Sequence, residues 1–232
     1  MDAVTHSGGV SRRASLIGAF GIATLVGAAA TPPPSPAKAA SRHRNGDLYL
    51  LGDSWGAGLH ADPAHALGQV AAEVLDMRPV VDAVSGTGYV NTAGHQNYLQ
   101  RARSATGSAR LVVVQGGSND KNQPTDELAE NARDTLRTLR GRFPNAKLLV
   151  LGPGPDPAPV DAKQRTVDTT LQQVAHSLDI RYASMLQRDW IPDAELDTVI
   201  DPSTAHPTVE GQFYLGTRLA AAVRLVHPQL FA

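Results

Sequence analysis

Four clusters of small polar residues follow apolar segments of this 232-residue chain. A serine can attack a carbonyl carbon when a histidine accepts its proton, and N–H donors can stabilise the resulting oxyanion. The residue types therefore suit acyl-ester cleavage, with Ser54 as nucleophile and His206 as base. Each cluster alone is ordinary turn composition, but four in this order are hard to obtain from turn chemistry. The clusters are Gly52-Asp53-Ser54, Ser85-Gly86-Thr87-Gly88, Gly116-Gly117-Ser118-Asn119-Asp120 and "DPSTAHPT", which contains Asp201 and His206.

The segments around these clusters alternate between strand-like and helix-like patterns. Continuous apolar runs are typical of parallel strands covered on both faces, and apolar residues at three-and-four spacing indicate helices packed on a sheet. The alternation predicts an α/β fold, a three-layer α/β/α sandwich with a parallel sheet of about five strands. Ligands bind such sheets at the carboxyl ends of the strands, where the first three clusters stand. The predicted strands cover 48–51, 79–84, 111–114, 147–151 and 180–183, and the predicted helices 124–143, 167–178 and 215–226.

The clusters resemble the sequence blocks of the GDSL or SGNH hydrolases, over nearly all of residues 47–232. Gly52-Asp53-Ser54-Trp55 is similar to the Gly-Asp-Ser-Leu block, and Gly117-Ser118-Asn119-Asp120 matches Gly-x-Asn-Asp in full. His206-Pro207 matches the end of Asp-x-x-His-Pro, and Gly86 is the best match for the glycine of the second block, with Gly88 as the alternative. The resemblance implies a flavodoxin-like SGNH-hydrolase domain and a carboxylic ester hydrolase, a GDSL esterase or lipase. Its oxyanion hole would comprise the N–H groups of Ser54 and Gly86 and the amide of Asn119.

The acid that would orient His206 departs from this pattern. Ser203 occupies the usual position, three residues before the histidine, and Asp201 is the nearest carboxylate. We expect the intervening "PSTA" to form a bulged loop that brings Asp201 to the second ring nitrogen and completes a Ser-His-Asp triad. The alternative is a Ser–His dyad in which Asp201 faces solvent and a backbone carbonyl orients the ring. Asp53 is expected to cap the following turn and Asp120 to brace its loop, neither with a catalytic role.

Composition excludes several other classes of function. The chain has no cysteine, a formal net charge of -1 and only 5% aromatic residues, so disulfides, thiolate sites and nucleic-acid binding are not supported. The spacing of His60 and His65 does not place them on one helical face, and no carboxylate cluster joins them, which argues for surface residues. No phosphate-binding glycine pattern follows the first strand. We therefore expect no metal and no cofactor, a small-molecule, lipid or glycan ester as partner, and a monomer.

The N-terminus has the features of an export signal. Arg12 and Arg13 precede an uncharged apolar run, residues 16–30, which is shorter than the roughly 20 residues a spanning helix needs. Ala37-Lys38-Ala39 follows as a small-x-small cleavage sequence. We predict a twin-arginine-like signal peptide over residues 1–39, a linker over 40–46, and a secreted or cell-envelope protein that meets the membrane only during export. A membrane anchor and a general secretory signal are the alternatives.

The substrate is less well determined by the sequence. Trp55, Tyr89 and Tyr98 could line an acyl pocket or could equally belong to the core. No long apolar insertion is present to act as a lid, which favours short or medium acyl esters. The principal hypothesis is an exported serine esterase. The alternatives are an acetylesterase or acyltransferase acting on cell-wall glycans, and an exported binding protein whose catalytic site has decayed.

Overall fold

A five-stranded parallel sheet forms the centre of the protein, with the strand order β2-β1-β3-β4-β5. The computed structural model describes residues 45–155, 160–187 and 190–232. All neighbouring strands of the sheet pair in parallel, and the order reverses between β1 and β3, as in other doubly wound folds. The strands are β1 (Asp47–Gly52), β2 (Arg78–Ala83), β3 (Ala109–Gln115), β4 (Lys147–Leu151) and β5 (Arg181–Ala183).

Helices cover both faces of the sheet, because alternate strand residues point to opposite sides and nearly all of them are apolar. Leu48 and Leu50 belong to an apolar cluster with α1 and α6, whereas Tyr49 and Leu51 belong to the cluster with α2, α3 and α4. The predicted three-layer α/β/α fold is thereby confirmed. The helices are α1 (Leu67–Val74), α2 (Tyr98–Ser104), α3 (Thr125–Arg142), α4 (Ala162–Ser177), α5 (Leu196–Val199) and α6 (Val209–Val226).

The helices α1 and α2 and a short hairpin were not individually predicted. The hairpin consists of β6 (Ile200–Asp201) and β7 (His206–Pro207), which are too short to show a period in sequence. Helix α2 has only seven residues, yet it begins with a capping box in which Asn97 and Gln100 each bond the other's backbone N–H. The pattern Asn-x-x-Gln was therefore a readable signal for α2.

The predicted signal peptide, residues 1–39, lies outside the described residues, as does most of the predicted linker. In the described part of the chain, none of the helices combines the length and the hydrophobicity required to traverse a bilayer.

Candidate active site

Ser54 stands on a tight turn directly after β1. The N–H of Ala57 donates to the carbonyl of Asp53 (2.9 Å), and the N–H of Leu59 donates to the carbonyl of Ser54 (3.0 Å). The side-chain oxygen of Gln115, at the end of β3, accepts from the N–H of Gly56 (3.1 Å). A Cβ at Gly56 would lie 2.9 Å from a Leu50 methyl and 3.0 Å from that oxygen, so the turn packs too closely for a side chain. The carboxyl end of β1 thus holds the serine in a fixed position.

Asp53 stabilises this turn from inside the protein. Its carboxylate accepts from the N–H of Trp55 (3.0 Å) and from the amide of Gln115 (3.2 Å), and its side chain is almost completely buried. Burial raises the pKa of Asp53 to about 6, although the hydrogen bonds from Trp55 and Gln115 oppose that rise. Asp53 therefore caps the turn that carries Ser54, although its burial disfavours the ionised form of the carboxyl group.

This burial predicts a pH dependence of stability. The folded state binds more protons than the unfolded state between the ordinary carboxyl pKa of 3.8 and about 6, so Asp53 destabilises the fold progressively as pH rises through that window. We expect Asp53→Asn to raise the free energy of unfolding, and with it the Tm, relative to wild type by an amount that grows from about pH 4 to about pH 7, up to the order of 3 kcal/mol in free energy. Thermal melts across this range check it, with the exposed Asp193→Asn as control. A gain that shrinks as pH rises would contradict it.

The ring of His206 contacts Ser54 directly. Its Nε2 lies 2.9 Å from the Oγ of Ser54, and its Nδ1 lies 2.5 Å from the backbone carbonyl oxygen of Thr204. A carbonyl oxygen can only accept a hydrogen bond, so Nδ1 carries the proton and donates it to Thr204. The unprotonated Nε2 is then the nitrogen that faces the serine hydroxyl, which is the tautomer a general base requires.

The carboxylate of Asp201 is engaged elsewhere. Asp201 and His206 are paired across the β6–β7 hairpin, but the Asp201 oxygen accepts from the N–H (2.8 Å) and the hydroxyl (2.7 Å) of Ser203. These hydrogen bonds hold the pKa of Asp201 below its ordinary value. The ring of His206 donates to the Thr204 carbonyl and not, as expected, to the Asp201 carboxylate, because that carboxylate closes the turn at Ser203. Asp201 thus shapes the loop whose carbonyl orients His206.

A hydrogen bond joins the loop that carries His206 to the turn that carries Ser54. Ala205 has a φ of 59°, which is unusual for a residue with a side chain and turns the carbonyls of this loop in different directions. The Thr204 carbonyl meets the histidine, and the Ala205 carbonyl accepts from the indole N–H of Trp55 (3.2 Å). Trp55 therefore links the turn that carries Ser54 to the loop that carries His206 across 150 residues of sequence.

A second histidine, His60, packs on the ring of His206. The ring centroids of His60 and His206 lie 5.2 Å apart in an edge-to-face arrangement. His60 is exposed, as the sequence analysis expected, and so is His65, whose Nδ1 contacts the carboxylate of Asp62 (2.6 Å). The two histidines thus have different neighbours.

Asn119 is oriented by a neighbouring backbone. Its amide nitrogen donates to the carbonyl of Thr87 (2.9 Å), which identifies the nitrogen end of the amide. Because the amide carries two N–H donors, this bond leaves the second one for a ligand. The side chain also lines the cavity beside Ser54. Asn119 can therefore supply an uncharged donor to an oxyanion there.

Asp120 braces the loop after β2 rather than only its own. Its buried carboxylate accepts from the N–H groups of Tyr89 (2.8 Å), Val90 (3.1 Å) and Asn91 (2.8 Å). Burial raises the pKa of Asp120, and these three hydrogen bonds oppose the rise. A Cβ at Gly88 would lie 2.3 Å from the same carboxylate. Gly88 thus has a structural reason to be glycine that is independent of oxyanion binding.

A cavity of about 170 Å³ lies between Ser54, Asn119 and His206. Gly86 and Asp201 do not line it; Gly86 lies in the turn after β2 with a φ of 76°. The sequence did not decide whether three aromatic residues line a pocket or belong to the core. Trp55 lines the cavity, whereas Tyr89 and Tyr98 are fully buried in the apolar core. The main lining residues are Ser54, Trp55, Ser118, Asn119, Lys121 and His206.

Sequence reasoning missed Arg101, which ties the strand ends together. It is buried, and its guanidinium donates to the carbonyl of Gly52 (2.9 Å), the hydroxyl of Thr87 (2.9 Å) and the carboxylate of Asp82 (2.8 Å). Gly52 precedes the turn that carries Ser54, and the Thr87 carbonyl accepts a hydrogen bond from the Asn119 amide. Nothing in the sequence distinguishes Arg101 from the exposed arginine two residues later, because its partners lie on distant strand ends.

A sequence model of the GDSL-like lipase/acylhydrolase family matches residues 50–212, a range that contains Ser54, Asn119 and His206. The chain belongs to this family. Membership confirms the resemblance noted from the sequence and supports ester hydrolysis as the activity of this GDSL hydrolase. The sequence matches no curated protein at a significant level.

Solved structures with the same fold include several carbohydrate esterases. A carbohydrate acetylesterase from Sinorhizobium meliloti has a TM-score of 0.61 at 17% identity, covering 78% of this chain and 99% of that one. A family two carbohydrate esterase from Clostridium thermocellum, solved in complex with cellohexaose, has a TM-score of 0.61 at 15% identity. One from Cellvibrio japonicus has a TM-score of 0.62 at 17% identity. Each match covers 78% of this GDSL hydrolase but only 64% and 61% of those two longer chains.

Proposed function

We propose that this protein hydrolyses carboxylic esters of short acyl groups through a Ser54–His206 pair. The observation that carries the proposal is the 2.9 Å contact between the Oγ of Ser54 and the Nε2 of His206, in a cavity that also contains the Asn119 amide. A nucleophile, a base in the correct tautomer and an oxyanion donor are the groups that acyl transfer to water requires.

The chemical steps follow from this arrangement. Ser54 attacks the ester carbonyl carbon while its proton passes to Nε2 of His206, and the carbonyl electron pair moves onto oxygen. The oxyanion is stabilised by the amide of Asn119 and the N–H group of Ser54, both of which line the cavity, whereas Gly86, the third donor expected from the sequence, does not line it. Collapse expels the alcohol, which takes the proton from Nε2. A water molecule, deprotonated by His206, then attacks the acyl-serine, and the proton passes from His206 to the Oγ of Ser54 as the carboxylic acid leaves.

The imidazolium formed in these steps is oriented by the Thr204 carbonyl in this proposal. The Nδ1–H of the ring donates a hydrogen bond to that oxygen, with 2.5 Å between the two atoms. The protein would therefore work as a Ser–His dyad, and Asp201 would contribute only by shaping the loop that carries His206. A carbonyl dipole stabilises the imidazolium less than a carboxylate does, but it sets the same tautomer.

A single substitution distinguishes the dyad from a triad. Asp201→Asn keeps the oxygen that accepts from Ser203, so we expect kcat to stay within about threefold of wild type. If Asp201 instead stabilised the imidazolium, kcat would fall by about two orders of magnitude or more. Steady-state kinetics on a soluble ester measure this, with Ser203→Ala as a control that removes only the hydroxyl donated to Asp201.

The cavity size supports a small acyl group. Its volume of about 170 Å³ lies below the roughly 300 Å³ at which pockets for drug-sized ligands begin. Acetyl esters of carbohydrates are the second candidate substrate, favoured by the carbohydrate esterases among the structural neighbours.

The test is kcat/KM on p-nitrophenyl esters from acetate to decanoate. We expect the highest values for the shortest chains. A protein that hydrolyses no member of the series and gains no adduct from an organophosphorus probe would support the alternative of a decayed binding protein.

We also propose that the protein acts outside the cytoplasm as a monomer. Arg12, Arg13 and the apolar residues 16–30 support export, and the sequence Ala37-Lys38-Ala39 supports cleavage. N-terminal sequencing of the secreted protein should therefore begin near Ala40. A Met1 start recovered in a membrane fraction would instead identify an anchor.

A further inference from the structure

A buried amide joins the turn that carries Ser54 to the helix that follows His206. Gln212 lies in the first turn of α6, six residues after His206, and is only 1% exposed. Its Nε2 donates to the carbonyl of Trp55 (3.2 Å), the residue after Ser54, across 157 residues of sequence. Its Oε1 accepts from the N–H of Leu67 (2.8 Å), the first residue of α1. One side chain therefore connects the Ser54 turn, α1 and α6.

The two ends of this amide can be told apart by their partners. The N–H of Leu67 can only donate and the carbonyl of Trp55 can only accept, so the Gln212 oxygen faces α1 and its nitrogen faces the Ser54 turn. Ala66, the residue before α1, makes no side-chain cap, and the Gln212 oxygen satisfies the first N–H of that helix instead. The side chain thus has two separable contacts, a cap on α1 and a donor to the Trp55 carbonyl.

The start of α6 is fixed relative to His206. Thr208, two residues after His206, caps α6 by accepting from the N–H of Gly211 (3.0 Å), and its own N–H donates to the carbonyl of Val199 (3.0 Å). A Cβ at Gly211 would collide with that same carbonyl, so the first turn of α6 packs directly on the backbone at the end of α5. These contacts leave little freedom between His206 and Gln212, and a shift of one would move the other.

Trp55 contacts the His206 segment on both sides of the histidine. Its indole N–H donates to the carbonyl of Ala205 (3.2 Å), the residue before His206, and its own carbonyl accepts from Gln212, which follows His206. A single contact between two segments permits them to rotate about it, whereas two contacts at different positions prevent that rotation. The bond from Gln212 is therefore the second restraint on the position of His206 relative to the Ser54 turn.

We propose that Gln212 is a positioning residue whose bond to the Trp55 carbonyl maintains the contact between the Oγ of Ser54 and the Nε2 of His206. This inference rests on the proposed esterase function. Gln212 does not line the cavity between Ser54, Asn119 and His206, so it acts on the reaction through Trp55 and α6 and not through the substrate. Because a small displacement of reacting groups can lower a rate by about 10²-fold, the expected effect is a loss of kcat at unchanged KM.

Gln212→Met removes both contacts and keeps a side chain of similar length. We expect kcat on p-nitrophenyl acetate to fall by roughly 10- to 100-fold while KM stays within about twofold of wild type. Val223→Ala is the matched control, because it removes buried methyl groups about 16 Å further along the same helix. It should lower the Tm by several degrees and leave kcat at the wild-type value. Equal kcat for the two variants would overturn the inference.

Gln212→Glu separates the donor to Trp55 from the cap on α1. The ionised carboxylate still accepts from the N–H of Leu67, but it has no hydrogen to donate to the Trp55 carbonyl, whereas the protonated carboxyl group can make both contacts. Burial raises the pKa of the new carboxyl group, so kcat relative to wild type should be near one at about pH 5 and fall about tenfold by about pH 8. Groups that titrate in both proteins, such as Asp53 and His206, cancel in this ratio.

This second variant also decides the question if Gln212→Met does not fold. A carboxylate caps a helix N-terminus at least as well as an amide oxygen, so a role limited to capping α1 predicts a ratio that does not fall as pH rises. A ratio that is the same at both pH values would therefore overturn the inference, because the donor to Trp55 would contribute nothing to the rate.

A measurement without turnover separates this inference from the proposed function. The ¹⁵N chemical shifts of the His206 ring, assigned by their loss in His206→Gln, depend on the hydrogen bond between Nε2 and Ser54. Gln212→Glu should change them at about pH 8, and Val223→Ala should not. Changed shifts in a protein that cleaves no ester would retain the positioning role and reject the esterase. Ester hydrolysis by the wild type together with unchanged shifts in Gln212→Glu would retain the esterase and reject the positioning role.

Discussion

Replacing Ser54 by alanine is expected to abolish ester hydrolysis while leaving the fold intact. In the proposed mechanism the Oγ of Ser54 forms the acyl-enzyme, and it lies 2.9 Å from Nε2 of His206, the only base among the described residues that is positioned to deprotonate it. Loss of a serine nucleophile elsewhere lowers kcat by roughly six orders of magnitude. We therefore expect kcat/KM on p-nitrophenyl acetate to fall by at least about 10⁴.

The fold should tolerate this change because Ser54 contributes little packing. The turn is held by backbone hydrogen bonds and by Asp53 and Gln115, none of which uses the Ser54 hydroxyl. Thermal unfolding should show a Tm within a few degrees of wild type. Ser104→Ala, at the exposed end of α2, serves as the matched control and should retain full activity.

Mass spectrometry after treatment with an organophosphorus probe gives an independent readout. The wild type should gain one adduct on Ser54, and the variant should gain none. Activity within tenfold of wild type, in a preparation free of host esterase, would contradict the mechanism, as would an adduct on another serine.

The parts of the fold that are local in sequence could be predicted. Residues 48–51 and 111–114 are continuous apolar runs, and the polar cluster that follows each run had to lie at the carboxyl edge of a parallel sheet. The position of Ser54 and Asn119 at this edge could be predicted for this reason. The weak fifth strand was also located to within one residue, at Arg181–Ala183.

The partner of His206 could not be predicted in the same way. It depends on the φ of Ala205, a non-glycine residue in a left-handed conformation that its sequence does not signal. It also depends on the Trp55–Ala205 hydrogen bond, which spans 150 residues. The spacing showed that Asp201 does not occupy the acid position of the motif, three residues before the histidine. Spacing alone does not indicate which backbone carbonyl accepts the hydrogen bond from the ring.

The support beneath the site is likewise invisible in sequence. Gln115 and Arg101 act through bonds to backbone groups, at Gly56 and Gly52, and such bonds leave no residue pattern because every residue offers the same acceptor or donor. Only the glycines record them indirectly, since a side chain at Gly52 would lie 2.9 Å from the Gln115 oxygen. The glycines Gly52 and Gly56 on either side of Ser54 are thus the only indication in the sequence that the Gln115 side chain packs against this turn.

The second large effect is expected for Asn119→Ala, which removes an oxyanion donor. The amide is oriented before substrate binds, because one N–H is already bonded to the Thr87 carbonyl (2.9 Å). A preorganised donor stabilises the negative charge of the tetrahedral intermediate more than the neutral ester carbonyl. We expect kcat to fall by about 10²–10³, which corresponds to about 2.7–4 kcal/mol, while KM changes little.

A matched variant separates this role from loop support. Asn91→Ala removes a side-chain donor from the same region, where the Asn91 amide bonds the Asn119 carbonyl (3.3 Å), but no donor that faces the cavity. It should leave kcat within about threefold, whereas both variants should lose on the order of 1 kcal/mol of stability from the broken hydrogen bonds. If Asn119→Ala raised KM and left kcat unchanged, the amide would bind the ground state and the oxyanion would be held by backbone N–H groups alone. If both variants lowered kcat equally, Asn119 would act by supporting its loop. A donor used in the transition state would instead make the loss of kcat larger for Asn119→Ala than for Asn91→Ala.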